Sequence, residues 1–266
     1  MLPYFSLSRG SLAWRIFLGI AAVVTAVLAT TLALTAIEAS RTADVSVDRA
    51  LRATREQALQ LLAARARALQ GGAEVFVQNP NFRALVQKRD LGSMLDQSQE
   101  AAEQLGAVWA QIIDARGVRL AKSDDPGAAA DTLTGSALVL AALQGQPSQG
   151  FIVIGDSAVA QAVTVPIVGT GAIAGVLMAV TPVDAAVASL IRQNAQGAVD
   201  VAFFVRQQSG AARLFAGTLE RSNDLETLIR DMPPAADAAP ADTAESSTAM
   251  RTNPMIGGEH YVALAE

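Results

Sequence analysis

Ile16 to Ile37, IFLGIAAVVTAVLATTLALTAI, is an uncharged run of 22 residues, and no other stretch limits the fold as strongly. A helix rising about 1.5 Å per residue over that length spans a hydrocarbon core of roughly 30 Å. Arg9 and Arg15 precede the run without acidic neighbours, whereas Glu38, Arg41, Asp44 and Asp48 follow it. The preference for positive charge on the cytoplasmic side therefore predicts a cytoplasmic tail over 1–15, a transmembrane helix over 16–37 and an exported remainder over 38–266. Trp14 suits an interfacial anchor. The alternative is a cleaved signal peptide, for which TAIEA offers small residues, but the apolar run exceeds the usual signal core of about 7–15 residues.

Composition narrows the function classes. The net charge is -5 and Lys and Arg form no cluster, which excludes a phosphate-tracking surface and hence a nucleic-acid partner. Hydrophobic residues make up 51% and aromatics only 5%, a profile that suits a membrane-attached protein. The absence of cysteine removes disulfides, thiolate nucleophiles and Cys-based metal sites.

Beyond the apolar run the periodicity is helical. Val47, Leu51, Ala58, Leu62 and Leu69 recur at helical spacing with Arg and Glu between them, predicting a long helical stalk region within 38–106. Asn79-Pro80-Asn81 breaks it, because proline lacks an amide donor and biases its predecessor away from helix. A second helical stretch carries Leu95, Ala102 and Leu105. The period then shortens. Val108–Asp114 and Val118–Ser123 are apolar-rich segments around Ala115-Arg116-Gly117, a hairpin with glycine where positive φ is needed. GSALVLAALQGQ predicts a short helix closed by Gly145. FIVIG, AVAQAVTVPIV and AIAGVLMAVTPVD predict three further strands, the last two joined at Gly169-Thr170-Gly171. A helix starts at Pro182-Val183-Asp184. The order predicts an α+β fold, an antiparallel meander with helices to one side.

A second hairpin is expected from Val199–Arg206 and Arg213–Thr218, followed by a helix capped at Ser222 or Asn223. Residues 233–250 are an Ala-, Asp- and Pro-rich run too poor in large apolar groups to fold alone, expected to be a flexible insertion. GGEHYVALAE predicts one more strand.

Enzyme motifs fail on their companions. Asp114-Ala115-Arg116-Gly117 fits DxxG, but no Gly-Lys-Ser/Thr phosphate loop accompanies it. GTGAIAG has GxGxxxG spacing and leads into a strand, so it is a hairpin turn and not a dinucleotide site. DDPGAAAD, with Asp124, Asp125 and Asp131, lacks the alternating oxygens and closing glutamate of a calcium loop. His260, the single histidine, has no companion for a triad or a metal site and is expected as a strand residue. No catalytic residue, metal or cofactor is expected.

The succession of membrane anchor, long helix, IIDARGVRLAKSDD, a helix ending LQGQ, and VTVPIVGTGAIAGVLMAVTPVD resembles the double Cache sensor domains of bacterial transmembrane receptors. The residues that carry the likeness are Asp114, Gly117 and Ser123-Asp124-Asp125 in the first hairpin, then Pro166-Ile167, Gly169–Gly171 and Gly175-Val176-Leu177. The resemblance implies PAS-like antiparallel sheet modules: a membrane-distal Cache module over 107–195 and an incomplete membrane-proximal one over 196–266. It also implies an inner-membrane location, a small-molecule ligand, a homodimer, and a further span with an output module beyond Glu266.

Within the first hairpin the two-residue period puts Trp109, Gln111 and Ile113 on one face, and sets Arg119, Ala121 and Ser123 against Val118, Leu120 and Lys122. Trp109, Gln111, Arg119, Lys122 and Asp124 are the candidate ligand-binding residues. An aromatic wall beside polar groups suits a carboxylate or amino acid, with Arg119 forking a carboxylate. Two other readings stay open: Arg119 and Lys122 as solvated strand residues, with Trp109 filling a core under the long helix, and Asp124 and Asp125 fixing the loop. At the level of the whole chain, an anchored protein-interaction or structural domain and an exported hydrolase also stay open.

Overall fold

The computed structural model describes residues 12–155, 158–195, 199–206, 212–219, 223–231, 250–252, 255–256, 259–260 and 263–265. Residues 233–249, most of the expected insertion, lie outside them. The chain divides into two compact units at Arg52/Ala53. Helix α1, Leu12–Val77, supplies the described part of the first unit. There Ile20, Val23, Val24, Val27, Leu28, Leu32 and Leu34 are exposed. The hydroxyls of Thr25, Thr30, Thr31 and Thr35 donate to carbonyls one turn back at 2.7–2.9 Å. Within the 16–37 run, side chains are described from 19 to 35, and among the described residues no helix is long and apolar enough to cross a membrane.

In the second unit, α1 buries Leu62, Ala66, Leu69, Ala73, Phe76 and Val77, steps of four and three that make one helical stripe. The helix stops where the sequence predicts. Asn79 caps α2, Pro80–Lys88, its side chain accepting from the Asn81 amide at 2.9 Å, with Pro80 at the first helical position where no donor is missed. The expected single helical stretch after Pro80 is two helices. Arg89 adopts a left-handed conformation (φ 55°) and Asp90 starts α3, Leu91–Leu105, which ends at Gly106 (φ 61°).

Strands β1 (Trp109–Asp114), β2 (Arg119–Lys122), β3 (Ser148–Ile154), β4 (Ala158–Val168) and β5 (Ile173–Pro182) form one antiparallel sheet in the order β2-β1-β5-β4-β3. Helix α4, Ala137–Leu143, lies between β2 and β3 in sequence, and α5, Ala185–Asn194, follows β5, capped by Asp184 through the Ala186 and Val187 amides.

The expected meander with helices on one side is corrected twice. The first strand inserts beside the last, β1 pairing with β5 from Trp109–Val180 to Asp114–Gly175. Both faces of the sheet are also covered. On one face Ala110, Ile112, Val163, Val165, Ile167, Leu177 and Ala179 pack with Leu69, Phe76, Phe82 and Met94 of α1–α3. On the other, Trp109, Ile113, Ala160, Ala162, Val176 and Val180 pack with Val139 and Ala142 of α4. Every residue of β1 is accordingly buried, which is why its sequence shows no apolar-polar alternation. Much of the expected stalk thus forms one wall of the sheet's core.

A separate hairpin, β6 (Ala202–Arg206) and β7 (Ala212–Gly217), packs Leu214 against Leu225 and Ile229 of α6, Asn223–Asp231. Its turn and Ser222 lie outside the described residues. Of the expected final strand, Glu259–His260 and Ala263–Ala265 are described, both as strand. Strand β8 (Met250–Thr252) pairs with β11 (Ala263–Ala265), and β9 (Met255–Ile256) with β10 (Glu259–His260). His260 is a strand residue, opposite Met255.

Candidate functional site

The hairpin β1–β2 positions all the candidate residues. Trp109, Gln111 and Ile113 share the α4 side of the sheet, while Ala110 and Ile112 face α1–α3. That half of the expectation holds. The alternation expected along β2 does not. Ile112 pairs with Ala121 but Ile113 pairs with Arg119, so Leu120 is an extra residue at a bulge. An extra residue shifts the side-chain parity beyond it. Ala121 and Leu120 pack into the α1–α3 core, whereas Arg119 joins Lys122 on the Gln111 side, where both bond side chains of that face.

This convergence makes a continuous polar set against an aromatic wall. Arg119 Nε donates to Gln111 Oε1 at 3.0 Å, and Gln111 Nε2 points at Met178 Sδ at 3.0 Å. Gln111 is buried, so its amide is held from both ends. Arg119 Nη1 donates to the Ala129 carbonyl and to Asp131 Oδ2, each at 3.1 Å. The Lys122 ammonium sits 4.7 Å from the centroid of the Trp109 ring and 2.9 Å from Asp124 Oδ1, a cation over a π face with a carboxylate beside it. Arg119 and Lys122 are only 16% and 20% exposed, against 61% for Asp131 and 39% for Asp124. The cations are therefore mostly sheltered and their acidic partners mostly wet. Neither cation is a solvated strand residue, and Trp109 packs with the α4-side cluster, not under α1.

Asp131 and the Ala129 carbonyl belong to this set although the sequence brought up Asp131 only within a calcium-loop pattern that it fails to complete. The missing signal is three-dimensional: Arg119 N donates to Asp131 O at 3.0 Å, and Val118 bridges Thr132, so the loop folds back on the edge of β2. Among the described residues, no group of three or more His, Cys, Asp or Glu could hold a metal ion.

Asp114 closes the other end of the hairpin. One of its oxygens accepts the Arg116 and Val118 amides at 2.9 Å, and the other accepts Arg89 Nη2 at 2.9 Å and Arg116 Nε at 3.2 Å. Burial pushes its carboxyl up, but the Val118 and Arg116 amides and the Arg116 guanidinium outweigh it and hold the group below its ordinary value of 3.8. It is a turn lock with its acceptors occupied, not a site for chemistry.

An antiparallel sheet covered by α1–α3 on one face and α4 on the other is consistent with a PAS-like fold. The chain belongs to the double Cache sensor family: residues 44–264 match the family model described as a double sensory domain of two-component sensor kinase. The family is sensory and non-catalytic. Among solved structures, the sensor domain of the Vibrio cholerae histidine kinase DctB is 16% identical with a TM-score of 0.46, over 64% of this chain and 68% of that one. The periplasmic domain of Vibrio cholerae LuxQ is 12% identical with a TM-score of 0.49, over 69% and 86%. The sensory domain of the Campylobacter jejuni chemoreceptor Tlp3, with isoleucine bound, is 14% identical with a TM-score of 0.35, over 68% and 77%. No curated protein matches the sequence.

Proposed function

We propose that the chain is the extracytoplasmic input module of a membrane receptor, and that it senses a small carboxylate or amino acid at Trp109, Gln111, Arg119, Lys122 and Asp124. The observation that carries this reading is the bulge at Leu120, which turns Arg119 and Lys122 to the same side as Trp109 and Gln111. A structural hairpin needs no such convergence of two sheltered cations. The two cations suit a carboxylate, and Asp124 and Asp131 beside them suit an ammonium on the same ligand.

In this reading residues 107–195 form the membrane-distal module, 196–266 belong to the membrane-proximal one, and the receptor works as a homodimer in the inner membrane. Two features support the anchor at 16–37. The run is uncharged, and its threonines direct their hydroxyls to the helix's own carbonyls, so they offer hydrocarbon no free donor. Signalling requires that the ligand bind one conformer better than another, and α1 is the element whose position against the sheet would report it.

Thermal unfolding of the full chain in mild detergent against amino acids, carboxylates and amines tests the reading. A binder at a hundredfold its Kd adds about 2.7 kcal/mol to stability. A selective shift lost in Trp109→Ala and Arg119→Ala is expected. The absence of any small-molecule shift, with a tight protein partner instead, would sink it.

A further inference from the structure

The loop 124–131 has few attachments, and Arg119 makes the decisive one. At its start Ser123 exchanges hydrogen bonds with Ala110, whose carbonyl accepts the Ser123 amide at 2.9 Å and whose amide donates to Ser123 Oγ at 3.0 Å. At its end the segment from Asp131 to Leu133 is tied to β2 and its approach: Arg119 N to Asp131 O at 3.0 Å and Leu133 N to Gly117 O at 2.8 Å. Between these anchors the chain bonds mainly to itself, in turns closed by Ala128 N to Asp125 O and Asp131 N to Ala129 O. The ties to the sheet in this interval are, at its start, the Asp125 amide to the Lys122 carbonyl at 3.3 Å and the Lys122–Asp124 pair, and further along Arg119 Nη1, which holds both the Ala129 carbonyl and the Asp131 carboxylate.

Arg119 thus carries a carboxylate already, supplied by its own loop. The hold is weak in form. Asp131 is 61% exposed and bonds through one oxygen to one guanidinium nitrogen, while Nη2 of the sheltered Arg119 makes no bond among the described residues. A free carboxylate seated across Nη1 and Nη2 makes two parallel bonds where Asp131 makes one. It would take from Nη1 the two acceptors that keep the loop against the sheet edge, leaving the backbone anchors at Ser123 and at 131–133 in place.

We propose that Asp131 is an internal occupant of the anion subsite at Arg119, so that a carboxylate ligand binds by displacing it and releases the 124–130 loop from the sheet edge. This rests on the proposed ligand site and adds its regulation: the site is closed on itself until an external carboxylate competes. Loop release then gives the ligand-bound state a conformation distinct from the free one, which is what a sensor needs.

The test uses the full chain in mild detergent with acetate as probe, sodium acetate replacing sodium chloride at constant ionic strength. Hydrogen exchange at amides 124–130 is expected to rise with acetate and saturate, while the amides of Val118 and Leu133 keep their protection. In Asp131→Asn the loop amides exchange fast from the start, and the acetate midpoint, read for every variant from the rise in thermal unfolding temperature, falls two- to fivefold, about the worth of a half-exposed ion pair. Asp125→Asn, the same charge change on the same loop away from Arg119, leaves the midpoint unchanged. Arg119→Ala abolishes the response. An Asp131→Asn midpoint equal to or above that of the unaltered chain overturns the inference, as does any absence of an acetate response. If Arg119→Ala still removes ligand shifts in such a case, the proposed site stands and only the displacement fails. If Arg119→Ala and Trp109→Ala leave every shift unchanged, both fall.

Discussion

Replacing Asp114 by alanine removes one carboxylate and orphans four donors. The two backbone amides, of Arg116 and Val118, each lose an acceptor at 2.9 Å. An unmet donor in a sheltered turn costs about 1–3 kcal/mol, so together they account for about 2–6 kcal/mol. The guanidiniums count for less, because Arg89 and Arg116 are 51% and 71% exposed and recover water when released, about 0–1 kcal/mol each. The expected loss is about 2–8 kcal/mol at neutral pH, or roughly 4–32 °C in Tm for a domain of this size. Urea unfolding followed by circular dichroism measures it. The pH dependence is a second signature. The folded carboxyl titrates below its ordinary value of 3.8, so its stabilisation is full above that value and is lost as the pH falls through it towards the folded value. The gap between Asp114→Ala and the unaltered chain is therefore constant from pH 7 to about 5 and closes on further acidification. A loss under about 1 kcal/mol, or a gap that widens in acid, would refute the turn-lock role.

Gly117 has φ 82°, and a Cβ there would meet Thr134 Cγ2 at 2.5 Å; Gly117→Ala is expected to cost about 1–3 kcal/mol in the same urea titration, and an effect below 0.5 would show that the turn relaxes freely. Trp109→Ala empties the aromatic wall between β1 and α4 and removes the seat of Lys122, with an expected loss of about 3–5 kcal/mol; a smaller loss than that of Ile113→Val, about 0.5–1.5 kcal/mol, would contradict the packing. Gln161 is buried, donates to the Leu62 carbonyl at 2.9 Å and leaves Oε1 without a partner among the described residues. Gln161→Met exchanges one bond for relief of one unmet acceptor, and a change within about 1 kcal/mol of zero in Tm-derived stability is expected; destabilisation beyond about 2 would show that the amide is fully used.

The parts of the fold fixed by local chemistry were readable from the chain itself. Asn79-Pro80 ends one helix and starts the next, Gly117 turns the first hairpin, and Asp184 caps α5, because each is decided by a few neighbouring residues. What depends on distant partners was not readable. Nothing in WAQIID says that β5 will pair with it or that α4 will cover its second face. The absence of polar-apolar alternation, with Trp109, Ile112 and Ile113 on both faces, was the available sign of a strand buried on both sides. The site suffered most from a single residue. Leu120 is apolar like its neighbours, so strict alternation assigned Arg119 to the Ala121 face, and only the pairing register exposes the bulge. Asp124 lies two residues from Lys122 in the chain, but Asp131 enters the set by loop closure, which no spacing rule reaches. The double Cache resemblance, carried by short tolerant motifs in order, agrees with the family match over 44–264.

The insertion of β1 beside β5 places the point where the chain enters the sheet next to the point where it leaves, with Val108 N bonded to Val180 O at 2.8 Å and Trp109 opposite Val180. Everything from the first hairpin turn to the end of β4 is consequently a cassette hung between two neighbouring strands. Insertions, deletions or an exchange of the 124–130 loop alter what the edge of β2 presents without touching Leu120 and Ala121, which pack against α1–α3, or the strands at which α3 arrives and α5 departs. In the proposed function, recognition chemistry and mechanical attachment are then separable properties of one chain, and grafting on the loop would rewrite the former while the latter stays as it is.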